Sequence, residues 1–224
     1  MKIVGLNKEN IIKISKLKGE EDWVLNYRLE SYNEFLKLKE PSFGPKVQVD
    51  LENMTLYKYE EEKKSVSNWE NVRKNIKCQM DELGVTSSEK SLGGMGIQYE
   101  SEMVYQSLRK DLEEKKVIFC SIEDAIKNHS ELVQKYLGKL IKNSEHRYSA
   151  LNSTLFSGGS FIYVPKNTVL DRPLQSYFRI DTENLGQFER TLIIIDDNSK
   201  ASYIEGCTAP ISSTDSLHVA NVEV

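Results

Sequence analysis

The sequence predicts an α+β fold in which a helical N-terminal region precedes a region of short strands. Apolar residues recur at the spacing of about 3.6 residues that helices show in the first half, and they alternate with polar residues after about residue 150. Polar corners separate the strand segments, and no helix-length segment lies between them. This pattern is typical of a sandwich, a barrel or a β-solenoid, and the pattern alone leaves all three open.

The composition is that of an ordinary soluble protein with enough apolar residues for one good core or two small ones. Of the 224 residues, 39% are hydrophobic and 29% are charged. The 34 acidic residues outnumber the 30 lysines and arginines, which gives a net charge of −4. Because there is no basic excess to hold a phosphate backbone, we expect no nucleic-acid partner.

Neither a signal peptide nor a membrane span is expected. No uninterrupted apolar run approaches the length of about 18 residues that crosses a bilayer. The three cysteines, Cys78, Cys120 and Cys207, are odd in number and widely spaced, which argues against a disulfide framework. A reducing compartment is therefore expected, either the cytoplasm or the equivalent compartment of an organelle.

Residues 1–100 are predicted to form a helical N-terminal region with a loosely structured connection. The clearest helix spans residues 20–39 and ends before Pro41. Its apolar stripe consists of Leu25, Leu29, Tyr32 and Leu36. Residues 41–69, which include the charge run EEEKK at 60–64, are predicted to be an exposed connection.

A weaker helix is predicted over about residues 68–83, and a Ser/Gly-rich break follows it. The segment SSEKSLGGMG, residues 87–96, resembles a phosphate-binding loop only in its glycines. Such a loop needs a preceding strand and a following Lys-Ser/Thr pair, and the sequence offers neither. The segment is therefore interpreted as a hinge.

Residues 101–149 are predicted to be a helical segment that leads to the strands. A helix is expected over 102–116 and a short apolar strand over 117–120. The helix has an apolar stripe of Val104, Leu108 and Leu112. The helix after the strand has Ser121 as its N-cap, Gly138 as its C-cap and His129 as a structural residue on its apolar face.

Residues 150–224 are predicted to be a core of strands. Five segments fit: 161–164, 174–180, 189–195, 201–207 and 217–224. The last segment reaches Val224 without a turn or a proline, so we expect the sequence to be cut from a longer fold. A bare edge of this kind predicts pairing with a second copy or with a partner chain.

Cys207, in ASYIEGCTAP, is the first candidate for chemistry. Strand alternation places Tyr203, Glu205 and Cys207 on one face, unless a bulge at Gly206 redirects the thiol. A thiolate is a good nucleophile and a soft metal ligand, but the neighbouring Glu205 opposes its formation. Residue chemistry alone therefore favours a small buried hydrophobe at this position, and it favours a core position for Cys120 still more.

Arg179 and His218 are the other candidates. Alternation places Arg179 on one face with Tyr177 and Asp181, where a solvated outer surface is the simplest interpretation. His218 alternates with apolar residues and is ambiguous. The sequence contains no CxxC motif, no HExxH motif and no nucleophile elbow, which excludes a local zinc site and gives serine hydrolase chemistry little support.

Six segments together resemble the SufB family of scaffolds for iron–sulfur cluster assembly in the SUF system. In chain order they are SKLKGEEDWVLNYRL, KKVIFCSIEDAIKNHSELVQKYLG, ALNSTLFSGGSFIYVPKNT, LQSYFRIDTENLGQFERTLIIIDD, ASYIEGCTAP and LHVANVEV. The resemblance implies a right-handed parallel β-helix after the helical region, and a scaffold rather than an enzyme. It also implies a SufC-type ATPase and a SufD-type paralogue as partners, and a cysteine desulfurase that delivers sulfur through a carrier protein.

The resemblance also implies roles for single residues. Cys207 matches the cysteine of the family's EGCTAP motif, implicated as a sulfur acceptor or relay, and Arg179 matches an arginine also implicated in assembly. Asp181 stands where the family has asparagine, and Arg179 is the one residue expected to activate the Cys207 thiol. The chain has about half the family's length and lacks its CxxCxxxC segment, so an iron–sulfur cluster is expected only transiently in the full-length complex. No metal is expected on this chain alone.

Two further interpretations stay open beside the scaffold. In the first, the protein is a β-solenoid interaction module in which Cys207 is purely structural. In the second, it is a β-helix enzyme that acts on polysaccharides, but the sequence lacks the clustered carboxylates that glycoside hydrolysis needs.

Overall fold

A computed structural model gives the fold and describes residues 1–59, 65–210 and 216–224. The predicted charge run at 60–64 lies outside the described residues. Within them, the chain forms two four-stranded sheets, one two-stranded sheet and seven α-helices. No helix of the described part is long and apolar enough to cross a membrane.

The N-terminal helices follow the sequence prediction. Helix α1 spans Lys8–Lys18 and helix α2 spans Asp22–Lys37, which confirms the helix predicted over 20–39. The side chain of Asn7 accepts a hydrogen bond from the backbone of Asn10 at the start of α1. Gly19 ends α1 with a φ of 62°, a conformation that glycine adopts without strain.

The connection predicted to be exposed contains a buried strand, so that prediction is wrong in part. Strand β1, Lys2–Val4, pairs antiparallel with strand β2, Thr55–Lys58. Leu56 and Tyr57 are 0% and 1% exposed. Because Thr55, Leu56 and Tyr57 are buried in succession, the strand lacks the alternation that marks a strand exposed on one face.

The predicted hinge and the helix predicted over 102–116 are also corrected. A short 3-10 helix at Trp69–Asn71, helix α3 at Lys74–Glu82 and another 3-10 helix at Thr86–Ser91 lead into strand β3, Gly94–Tyr99. Strand β3 is buried throughout and pairs antiparallel with strand β4, Glu102–Leu108. Only helix α4, Lys110–Glu114, remains of the predicted helix.

The segment before the strands has the predicted N-cap at Ser121, whereas its second helix has Leu137 as C-cap, and Gly138 follows one residue later with a φ of 72°. Strand β5 spans Ile118–Ser121, and the Ser121 side chain caps helix α5, Ile122–Asn128, by accepting from the backbone of Asp124. Helices α6, Ser130–Tyr136, and α7, Arg147–Leu155, follow. His129 separates α5 from α6 and stacks on Phe161, as expected of a structural histidine. Since α7 runs to Leu155, the strands begin later than residue 150.

All five strands predicted in the C-terminal part are confirmed. They are β6 Ser160–Val164, β7 Leu174–Arg179, β8 Gly186–Ile195, β9 Tyr203–Thr208 and β10 Leu217–Glu223. The first sheet has the order β10-β8-β6-β5 and the second has the order β4-β3-β7-β9. Successive strands from β6 to β10 therefore alternate between the two sheets, and β6, β8 and β10 pair in parallel, as do β3, β7 and β9.

The corners between these strands repeat as well. Asn167 and Asn198 both have positive φ angles, of 60° and 59°. Their side chains are hydrogen-bonded at 3.1 Å across a separation of 31 residues. Lys166 and Asp197 form an ion pair, and the Thr168 backbone donates to Ser199, at the same separation of 31 residues. One corner thus stacks on the next.

The two four-stranded sheets turn one face toward each other, here called the inward faces. Ser160 of β6 and Ser176 of β7 meet there, with 2.6 Å between their hydroxyl oxygens. The opposite face of the first sheet packs on the helices, where Asn152 of α7 donates to the backbone of Glu189. The opposite face of the second sheet packs on α3 through a cluster that includes Ile76, Met80, Ile97, Tyr99 and Tyr177.

Candidate functional site

Cys207 lies near the end of β9, the edge strand of the second sheet. Its side chain is exposed, and it stands opposite Phe178 in the strand pairing. The pairing of β7 with β9 runs without a register shift, so Gly206 introduces no bulge. Tyr203, Glu205 and Cys207 therefore share the inward face, as alternation predicts.

Glu205 is anchored by hydroxyl groups. Its carboxylate accepts a hydrogen bond of 2.8 Å from the Tyr203 hydroxyl and one of 3.3 Å from Thr191 of the facing sheet. The Tyr203 oxygen also lies 3.3 Å from the Ser160 hydroxyl. Burial and the charge of Glu205 raise the pKa of Tyr203, so this hydroxyl remains a donor. The network ties the two sheets together beside Cys207.

Glu189 of β8 lies on the inward face of the first sheet and is 1% exposed. Its Oε2 lies 2.8 Å from Nε2 of His218, on the neighbouring strand β10. Within the described residues, no hydrogen-bond partner reaches its Oε1. Burial raises the pKa of Glu189 to about 7, although the hydrogen bond from His218 opposes the rise.

The pKa of His218 is raised as well. Its burial lowers the pKa, but the hydrogen bond to Glu189 and the charges of Glu189 and Glu205 raise it by more. Glu189 and His218 therefore hold a shared proton more firmly than either group would alone.

The electrostatic surroundings of Cys207 disfavour a thiolate. Partial burial raises the pKa of the Cys207 thiol, and the charges of Glu189 and Glu205 raise it further. The thiol form therefore dominates near neutral pH.

Arg179 and Cys207 are not brought together. Arg179 pairs with Thr208, one position beyond Cys207, and therefore points to the opposite face of the sheet. There it donates to the Thr208 hydroxyl and to Asp181, both at 3.1 Å. The expectation that Arg179 activates the thiol is wrong, because an intervening sheet separates the guanidinium from the sulfur.

The face that carries Arg179 is also less exposed than predicted, since the Arg179 side chain is only 13% exposed. Asp181 accepts further hydrogen bonds from Tyr99 and from Gln79 of α3. Burial raises the pKa of Asp181, but these hydrogen bonds and the one from Arg179 lower it by more, so it remains a carboxylate. Arg179 and Asp181 thus form a half-buried ion pair against α3.

The other two cysteines lie apart from this group. Burial raises the pKa of Cys120 to about 12, which fits its predicted core position. Cys78 is exposed on α3. All three cysteines are free. Throughout the described ranges, no group of three or more His, Cys, Asp or Glu residues is placed to hold a metal ion.

Sequence reasoning missed Glu189 and left His218 ambiguous. The available signal was the presence of two charged residues, Glu189 and Arg190, in GQFERTLIII, a segment that continues as the apolar run of a buried strand. The pairing of β8 with β10 brings the two residues together, and no short-range spacing in the sequence shows that pairing.

Two family models match the chain. The SufBD protein N-terminal region matches residues 20–176, and the SUF system FeS cluster assembly SufBD core domain matches residues 178–224.

Curated relatives match along nearly the whole chain. An iron–sulfur cluster assembly SufBD family protein of Staphylococcus saprophyticus is 46% identical over 222 residues, and proteins of the same description from Staphylococcus epidermidis and Staphylococcus aureus are 45% identical. Each alignment covers 98% of this chain and 48% of the relative. The chain thus spans about half the length of the curated relatives that it matches.

Proposed function

The chain belongs to the SufBD family of iron–sulfur cluster assembly proteins, and from this we propose that it forms part of a SufB-type scaffold in which Cys207 accepts sulfur. The observation that carries the proposal is the position of Cys207. Its thiol is exposed on an edge strand, on the same inward face as Glu205, whereas Cys120 is largely covered. The resemblance of ASYIEGCTAP to the SufB motif supports SufB rather than the paralogue SufD.

In this proposal the protein is a scaffold, and the iron–sulfur cluster is its cargo rather than a resident cofactor. The energy source is a separate SufC-type ATPase, and the complex includes a SufD-type paralogue. A cysteine desulfurase supplies sulfur, directly or through a carrier protein. Three free cysteines suit the cytoplasm or an equivalent reducing compartment.

We further propose that β6 to β10 form the first turns of a right-handed parallel β-helix. Two observations support this: successive strands alternate between two parallel-paired sheets, and corner contacts repeat at a separation of 31 residues. The family resemblance supplies the handedness. In a solenoid of this kind, β9 and β10 would offer their free edges to the next turn, to a second copy or to a partner chain.

The test uses the full-length protein with its cysteine desulfurase and cysteine as the sulfur source. We expect a persulfide on Cys207, detected by the mass of its peptide, and loss of cluster formation in Cys207→Ser. The matched control is Cys78→Ser, which removes the other exposed thiol and should leave cluster formation intact. Normal cluster formation by Cys207→Ser would refute the role of Cys207.

A second candidate function is an interaction module with a structural cysteine. The acidic surroundings of Cys207 favour it, because they oppose the thiolate that nucleophilic sulfur chemistry requires. It predicts that Cys207→Ser assembles clusters as well as the unmodified protein does, so the same experiment separates the two candidates.

A further inference from the structure

Glu189 and Cys207 face each other across the gap between the two sheets. Tyr203 of β9 packs against the cluster that contains Ile193 of β8, and Glu205 contacts Thr191. The next inward pair along these strands is therefore Cys207 and Glu189.

The two carboxylates beside Cys207, Glu189 and Glu205, differ in their hydrogen bonds. Glu205 accepts from Tyr203 and Thr191 and is itself exposed at the sheet edge. Glu189 is 1% exposed, is held by His218 through one oxygen, and leaves its Oε1 without a partner among the described side chains. A buried carboxylate oxygen without a donor is costly, so this atom is suited to receive a proton or a hydrogen bond.

The charge balance points to the same atom. Loss of the Cys207 proton to solvent would add a negative charge beside the carboxyl groups of Glu189 and Glu205. Transfer of that proton to Glu189 leaves the net charge of the site unchanged. Proton transfer within the site is therefore the less costly way to form the sulfur nucleophile.

We propose that Glu189, held in place by His218, is the proton acceptor for the Cys207 thiol when sulfur arrives. This inference rests on the proposed role of Cys207 in accepting sulfur. Glu205, in contrast, is fixed by the hydroxyl donors Tyr203 and Thr191 and takes no part in the proton transfer.

The step balances without an oxidant. The incoming donor is a persulfide, R–S–SH, on a protein or a small thiol. The Cys207 sulfur attacks the outer sulfur of the donor, the new S–S bond forms as the donor's S–S bond breaks, and the electron pair of the broken bond leaves on the donor sulfur. The Cys207 proton passes to Glu189 and then to the departing thiolate, so the products are Cys207–S–SH and R–SH.

Two strands supply the titratable groups that face Glu189 in the described part of the fold. His218 lies on β10, and Glu205 and Cys207 lie on β9. Arg179 and Asp181 lie on the opposite face of the second sheet and are excluded from the proton exchange. His218 acts as a positioning residue, because its hydrogen bond to Oε2 leaves Oε1 free.

The experiment compares two rates at Cys207 in the full-length protein over about pH 6 to 9. The first is alkylation by iodoacetamide, which reports the amount of thiolate. The second is sulfur uptake from cysteine persulfide, a chemically defined donor. Both are followed by the mass of the Cys207 peptide, and thermal unfolding checks that each variant is folded.

We expect Glu189→Gln to be alkylated at least as fast as the unmodified protein, because a negative charge near the thiol is gone. We expect the same variant to take up sulfur about tenfold more slowly near neutral pH, since the proton acceptor is lost. The matched control, Glu205→Gln, removes the other negative charge and should be no slower in either reaction. His218→Gln should slow sulfur uptake less than Glu189→Gln does.

Sulfur uptake by Glu189→Gln at the unmodified rate would overturn the inference. An equal loss of both rates in that variant would also overturn it, because it would indicate a merely structural role. The chemical donor loads Cys207 whether or not the thiol serves cluster assembly. A failure of the proposed function would instead appear as normal cluster formation by Cys207→Ser.

Discussion

Glu189 is the residue whose titration links the candidate site to the stability of the fold. Its pKa rises from the ordinary 4.5 to about 7 on folding, so the folded state binds the proton more tightly than the unfolded chain does. The stability that comes from this group is fully present below its unfolded pKa, and it is lost as the pH rises through about 7. The raised pKa of His218 acts in the same direction.

A pH series of unfolding free energies tests this linkage. Relative to Glu189→Gln, the unmodified protein should lose stability on the order of 2 kcal/mol between about pH 4.5 and pH 7.5. The measurement is urea unfolding at each pH for both proteins. A difference between the two proteins that stays constant with pH would contradict the raised pKa of Glu189.

The sequence could predict which face of its strand Cys207 occupies, but not its neighbours. Alternation within one strand is a local property, so Tyr203, Glu205 and Cys207 were placed together correctly. The position of Arg179 relative to Cys207 depends on the register between β7 and β9, and a register difference of one residue reverses the face. Nothing in the two segments alone fixes that register.

At the scale of elements, Gly94 allows strand β3 to pack closely against its neighbours. A Cβ atom on Gly94 would lie 2.7 Å from the backbone oxygen of Ser107 and 2.9 Å from the Phe119 ring. Strands β3 and β4 and the Phe119 ring can therefore pack this closely only because the residue has no side chain.

We expect Gly94→Ala to destabilise the protein by about 1–3 kcal/mol, because the added methyl group forces packed backbone apart. The control is Gly206→Ala on β9, where the nearest atom would lie 3.4 Å from the new Cβ, an ordinary contact. Chemical denaturation of both variants measures the effect. A Gly94→Ala protein as stable as the Gly206→Ala protein would contradict the close packing.

The elements that sequence reasoning missed share one physical cause. The segment of β4 has apolar residues at helical spacing, yet Met103, Val104 and Tyr105 are buried in succession because both faces of the strand are covered. Strand β2 is hidden for the same reason. The five later strands were predictable because polar corners bound each of them. Where residues distant in sequence decide whether a segment forms a helix or a strand, the spacing of its apolar residues predicts its secondary structure poorly.

At the scale of the whole molecule, one buried ion pair joins the first sheet to the helices. Arg190 of β8 and Glu223 of β10 lie 2.7 Å apart, with side chains 0% and 1% exposed. Glu223 also accepts backbone hydrogen bonds from Gly138, Leu140 and Ile141. The pair therefore fixes the segment after α6 against two strands.

Glu223→Gln should destabilise the protein by about 3–5 kcal/mol, because it leaves the buried Arg190 guanidinium without its counter-charge. The matched control is Glu34→Gln, which removes an ion pair to Lys37 whose lysine side chain is 68% exposed. That exposed pair should contribute less than about 1 kcal/mol. Equal effects of the two substitutions in thermal unfolding would contradict the role given to the buried pair.

The stacked corners at Asn167 and Asn198 have a consequence for the order of folding. Each strand after β6 pairs with a strand that precedes it in the chain, so this partner has already left the ribosome when the strand emerges. The helices and β5 come first and give β6 a surface on which to form. The strands can therefore be added in chain order during synthesis, and each folded corner provides hydrogen-bond partners for the corner that follows it.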